Sequence, residues 1–114
     1  MGWFEFFNFR KEPLRIKAGV AKQMVDLNQA VLIDVRTIEE FREKHIPKAI
    51  LLPVYDVEKQ CRLKLPDLNQ NYIIYCRSGI RSKHAQDILK SLGYLHVFDL
   101  GGIIDWPYET ISGV

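Results

Sequence analysis

The sequence predicts an α/β domain: a central, mainly parallel sheet of about five strands with helices on both faces. Two observations carry this. Apolar runs of strand length, rich in β-branched residues, recur along the chain, and segments with helical spacing alternate with them. Strands that read as continuous apolar runs are those buried on both faces, which is the habit of parallel sheets. The 114 residues are enough for one domain, and 47% hydrophobic side chains are enough for its core. A disordered chain is thereby excluded.

Taken in order, the elements are as follows. Trp3, Phe4, Phe6, Phe7 and Phe9 form an aromatic opening that ends at Arg10, Lys11, Glu12 and Pro13. Residues 1–13 are therefore expected to be an extension and 14–114 the folded domain. Ala21, Met24, Val25 and Leu27 recur at helical offsets and predict a helix from Ala18 to Leu27, stopped by Asn28. Val31 to Val35 is strand-like. Thr37 with Glu40 three residues later forms a capping box and predicts a helix over Ile38 to Lys44. Ala49 to Leu52 reads as a buried strand closed by Pro53, while Val54 to Leu65 is ambiguous, one or two short helices. Tyr72 to Cys76 is the clearest strand. Ala85, Ile88, Leu89 and Leu92 then mark an amphipathic helix, with Gly93 placed for a left-handed stop. His96 to Leu100 is the last strand, ended by Gly101 and Gly102.

Sixteen basic against fourteen acidic residues leave a net charge of +2, and the basic residues form no long run. Nucleic acid is not an expected partner. No stretch is apolar enough to span a bilayer. The opening lacks a basic leader and a small-residue cleavage site, and Phe6 stands where a myristoylation signal needs Ser or Thr. The aromatics can fold back on the domain, line a dimer contact or touch a membrane surface, in that order of preference. Two cysteines, Cys61 and Cys76, make no disulfide framework and suit a reducing compartment. A cytoplasmic protein is expected.

In open α/β sheets the ligand crevice lies beyond the carboxyl ends of the strands. Asp34 with Arg36, Cys76 with its following turn, and Asp99 fall there. The turn is Cys76, Arg77, Ser78, Gly79, Ile80, Arg81, Ser82, and it runs straight into a helix. The thiol thus faces a helix N-terminus, where free amides and the dipole favour an anion. Gly79 lets successive amides turn inward as a nest, and Arg77 and Arg81 add fixed charge. Each favours thiolate over thiol. A strand-end cysteine is more often a small buried hydrophobe, but these neighbours read as a cup around a nucleophile.

At this point the chain resembles a single rhodanese domain, the sulfurtransferase fold. The resemblance runs from about Leu14 to Trp106. It is carried by Leu32 to Arg36 with Glu40 and Phe41, His45 to Ile50, Tyr75 to Ser82, Leu92 to Tyr94, and Leu100 to Trp106. Two departures stand out: Lys44 and Lys48 occupy positions where the family often has Gly, and Ile80 stands where it often has a polar residue. The resemblance implies that Cys76 accepts a sulfane sulfur as a persulfide, with Arg77, Ser78, Gly79, Ile80 and Arg81 binding the substrate. It implies a small anionic donor such as thiosulfate, and cyanide, a small thiol or a protein thiol as acceptor. No organic cofactor or metal is required. A phosphatase or arsenate reductase is disfavoured by loop length, since Arg81 follows Cys76 after four residues and Ser82 holds the position of a phosphatase arginine. A protein-binding module with little turnover is the other alternative, against which the intact cup argues.

The remaining candidates are supporting ones. Asp34 interrupts a buried strand and so needs a partner: loop amides, Arg36, or another arginine near the cup. Arg36 can instead reach Glu39 or Glu40. Ser82 closes the loop. His45 is expected to pack, His84 and His96 lack ligand spacing with the cysteines, and Cys61 is expected to be a passive thiol rather than a resolving one. Trp106 is expected at the edge of the core.

Overall fold

The computed structural model describes residues 14–114. The aromatic extension, and with it the choice among packing, dimer contact and membrane contact, lies outside the described residues. Four parallel strands form the sheet: β1 (Val31–Asp34), β2 (Ile50–Leu51), β3 (Asn71–Cys76) and β4 (His96–Gly102), in the order β2-β1-β3-β4. Among the described residues the sheet has four strands, against the expected count of about five. The segment before the first helix does reach the sheet, but only through an Arg15–Asp99 bridge, with Ile16 N donating to Asp99 O and Asp99 N to Leu14 O. That is too short a contact to make a strand.

Helix α1 (Ala18–Asp26) buries Ala21 and Val25 and stops at Asn28, which takes the left-handed conformation at φ 58°. Helix α2 (Ile38–Glu43) starts from the expected capping box, with Thr37 and Glu40 exchanging side-chain and backbone hydrogen bonds. The ambiguous stretch resolves into one 3-10 turn (Val54–Asp56) and helix α3 (Val57–Lys64), whose Val57 and Cys61 face inward. Helix α4 (Ile80–Ser91) buries Ser82, Ala85, Gln86 and Leu89, and Gly93 at φ 98° follows its end.

Alternation along the strands builds two cores. Ile33, Tyr72, Ile74 and Cys76 face α3 and α4, whereas Leu32, Ile73 and Tyr75 face α1 and Ile46. Each fully buried aliphatic side chain of this kind contributes about 1.5–3 kcal/mol. The chain leaves β1 toward β2 on one side and returns through β3 on the other. The carboxyl ends of β1 and β3 therefore flank a topological switch point, where Asp34 lies in register with Tyr75. The expectation that Gly101 and Gly102 end the last strand is also revised. Strand β4 runs through both, with a bulge: Ile74 faces Asp99, Tyr75 faces Gly101, and Cys76 faces Gly102.

Candidate active site

Cys76 is the last residue of β3 and is 1% exposed. The chain then turns within three residues and enters α4. Gly79, the residue before that helix, has φ 112°, a conformation that strains any residue with a Cβ. This turn aims Gly79 N–H at Cys76 Sγ across 3.0 Å, and Ser82 N–H at the same sulfur across 3.3 Å. The first amides of a helix have no acceptor within it, so α4 brings its positive end to the sulfur. Ser82 is fully buried, and its hydroxyl donates to Gly79 O at 3.1 Å, fixing the curl of the loop. Two amides on one sulfur make a site that stabilises negative charge there.

The loop is held from outside by the residues after it. Gly102 pairs with Cys76, and a Cβ there would lie 2.3 Å from Arg77 O and 2.7 Å from Ser78 Cα. Only a bare backbone lets the loop cross. Ile104 N donates to Arg77 O at 3.3 Å and ties the two segments together. Asp99, one of the three strand-end candidates, is buried and accepts from Gly101 N at 2.9 Å, so it holds the bulge that leads to Gly102.

The arginines divide by partner. Arg36, also buried, points its Nε and Nη2 at the Asp34 carboxylate (shortest contact 2.7 Å), and Nη2 also donates to Lys44 O at 2.7 Å. Of the alternatives raised for Asp34 and Arg36, each other is the answer. Glu40 belongs to Arg81 instead: Nη1 and Nη2 donate to Oε1 and Oε2 at 2.7 and 2.9 Å. Hydrogen bonds from Arg81, with help from Thr37, hold the Glu40 carboxyl down at about 2, and Glu40 in turn raises Arg81. Arg77 and Ser78 are exposed, and Ile80 is 80% exposed on the rim. Arg77 makes no ion pair among the described residues. A cleft of about 340 Å³ opens here, lined by Arg36, Glu40, Lys44, Arg77, Ile103 and Ile104 among others.

Other candidates lie apart from the sulfur or serve packing. His45 is buried, stacks on Phe41 with ring centroids 3.7 Å apart, and places Nδ1 2.8 Å from Phe41 O. Tyr75 is buried beneath Arg36, burial pushes its phenol well up, and its hydroxyl accepts from Ile46 N. Cys61 is 1% exposed in α3 and donates to Glu58 O. A smaller apolar cavity of about 150 Å³ lies between α1 and the Trp106–Glu109 segment, and no residue of the Cys76 loop lines it. Trp106 packs there against Tyr108.

Sequence reasoning missed three residues: Gly102 as the gap that admits the loop, Ile104 as its tie, and Glu40 as the partner of Arg81. The Gly101-Gly102 pair was a legible signal of close backbone approach. Nothing local links Glu40 to Arg81, forty-one positions away.

Comparison with known proteins assigns the fold a family. The rhodanese-like domain family matches residues 17–108. Thiosulfate sulfurtransferase PspE of Escherichia coli (strain K12) is 35% identical over 81 residues, covering 71% of this chain and 78% of its own length. A sulfurtransferase of Allochromatium vinosum is 35% identical over 89 residues, covering 77% of this chain and 81% of its own. Among solved structures, a rhodanese with anions from E. coli matches with a TM-score of 0.68 at 34% identity, over 72% of this chain and 96% of that one.

Proposed function

This chain belongs to the rhodanese-like domain family, and the two relatives named above are sulfurtransferases; we propose that it moves sulfane sulfur from thiosulfate to a thiophilic acceptor through a persulfide on Cys76. The observation that carries the reading is the convergence of Gly79 N–H and Ser82 N–H on Cys76 Sγ. The donor approaches through the cleft beside Arg77. Cys76 thiolate attacks the outer sulfur, the S–S bond of thiosulfate breaks, and sulfite leaves with the electron pair. The new terminal sulfur carries the negative charge at the mouth of the loop whose Gly79 and Ser82 amides converge on Cys76 Sγ.

In the second half-reaction cyanide, a small thiol or a protein thiol attacks that terminal sulfur, and Cys76 departs as thiolate. No external oxidant or reductant is needed, because the transferred sulfur keeps its oxidation level. The enzyme alternates between two covalent states, so ping-pong kinetics follow. The Asp34–Arg36 pair supports the site from beneath by fixing the end of β1. The two free cysteines suit a reducing compartment, and we place the reaction in the cytoplasm. Weighing the intact protein after incubation with thiosulfate tests the reading. A gain of one sulfur atom that cyanide removes is expected, and no gain in folded protein sinks it.

A further inference from the structure

The sulfur chemistry leaves two features unused: the aromatic opening of the chain and the apolar cavity beside α1. That cavity holds about 150 Å³ and is walled by Ala21, Val25, Leu32, Ile46, Trp106 and Tyr108. A space of about that volume with apolar walls stays dry and takes one benzene ring. Trp106 and Tyr108 meet edge to face with centroids 5.1 Å apart, so an incoming ring finds aromatic surface as well as methyl groups. Charge is confined to the rim. Lys22 pairs there with Asp26, and Glu109 makes no ion pair among the described residues.

The aromatic opening joins the domain at Leu14, whose carbonyl is held by Asp99 N and by the Gln86 amide. From Leu14 the chain takes four residues to enter α1 and three more to reach Ala21, so the two lie no more than about 19 Å apart. Phe9 stands five residues before Leu14 and Phe4 ten, which gives about 17 and 34 Å of extended chain. Phe4, Phe6 and Phe7 therefore have the reach to return to the cavity. Arg10 and Lys11 follow them with charge that suits Asp26 and Glu109 at the rim. A tether this short holds its end at an effective concentration of about millimolar, well above that of a second copy in dilute solution. We propose that the aromatic opening docks back on its own domain and seats one phenylalanine ring, from residues 4–7, in the cavity between α1 and Trp106–Glu109. Ala21, Val25, Leu32 and Ile46 belong to the core opposite that of Cys76, so the inference stands independently of the sulfur-transfer reading.

NMR of the full chain tests this, with phenylalanine ring protons and alanine and valine methyl protons observed. Nuclear Overhauser contacts are expected from a ring of Phe4, Phe6 or Phe7 to the methyl groups of Ala21 and Val25. In a mixture of labelled and unlabelled chains, an isotope-filtered spectrum should show none of them, which makes the contact intramolecular. A second measurement is thermal. Phe4→Ser, Phe6→Ser, Phe7→Ser and Phe9→Ser together in the full chain should lower Tm by about 3–6 °C. In a Tyr108→Ser background the same four changes should cost at most about half as much, because part of the receiving wall is gone. Contacts found only between chains overturn the inference in favour of a dimer. No contact to the cavity overturns it outright, and a blue shift of Trp3 emission on phosphatidylglycerol vesicles, read in Trp106→Phe, would then place the aromatics at a membrane. An unchanged Tm, or a loss of equal size in both backgrounds, overturns it as well.

Discussion

Cys76 and Cys61 are equally buried, each 1% exposed and both part of the core that faces α3 and α4. Their surroundings differ in kind. Cys76 ends a strand and receives two backbone N–H groups. Cys61 sits inside a helix and is itself the donor, to Glu58 O, with Tyr94 nearby; burial and that thiol push the Tyr94 phenol up to about 12. One sulfur is an acceptor in an amide nest and the other a donor in an apolar layer. Burial therefore does not tell a nucleophile from a packing residue here. The direction of the hydrogen bonds does.

The sharpest way to break this comparison is to exchange each sulfur for oxygen. Cys76→Ser should abolish persulfide formation, since a hydroxyl is not ionised at neutral pH and cannot carry sulfane sulfur. Cys61→Ser should leave thiosulfate loading at the wild-type rate. Equal collapse in both variants would mean that the two sulfurs act together.

A second variant tests the nest without touching the sulfur. In Gly102→Ala the new Cβ meets Arg77 O at 2.3 Å, so the loop must move outward and misalign its amides. Displacements near 1 Å can cost about a hundredfold in rate, and a fall of that order in kcat/KM is expected in protein whose circular dichroism is unchanged. A wild-type rate would show that the loop tolerates the shift and that the amide geometry is not what matters.

Arg77→Ala should do less. The side chain is exposed and works through its field, so KM for thiosulfate should rise by about two- to fivefold at low salt and converge with wild type at high salt. An effect independent of salt would point to a direct contact instead.

The smallest effect concerns stability against pH. Arg81 holds the folded-state pKa of Glu40 at about 2 against an ordinary 4.5. The stabilisation from that depressed pKa is complete above the ordinary value and drains away as pH falls toward 2. The Tm gap between wild type and Glu40→Gln should be steady from about pH 8 to pH 5 and narrow below that. A gap that stays constant down to pH 2 would show that the carboxylate charge contributes nothing.

How far the sequence reaches can be judged on the same two cysteines. The nest was legible because everything that builds it is local: a strand end, a glycine three residues on, and a helix start. The helix stops at Asn28 and Gly93 and the capping box at Thr37 were legible for the same reason. Cys61 fell in a stretch with no clear period, because α3 presents only Val57 and Cys61 to the core from eight residues. The partner of Arg81 and the passage of the loop over Gly102 depend on the packing of α2 and β4 against α4. No local pattern encodes such a contact. The sequence reading put Arg77 and Arg81 side by side as fixed charges, and it is the clamp of Arg81 by Glu40 that shifts attention to Arg77.

The short contact at Leu14 to Ile16 has a bearing on solubility. Among the described residues strand β4 has a neighbouring strand on one side only, and its other side would offer a row of unsatisfied N–H and C=O groups. The segment before α1 covers part of that row through Asp99, while Gln86 reaches across from α4 to bind Leu14 O at 2.9 Å and Val97 O at 2.8 Å. A single buried amide thus fastens a strip of backbone over the margin of the sheet. Shortening the chain past Ile16 would leave chemistry at Cys76 in place yet open that margin to a second molecule, and the first sign of damage would be self-association in light scattering rather than lost turnover.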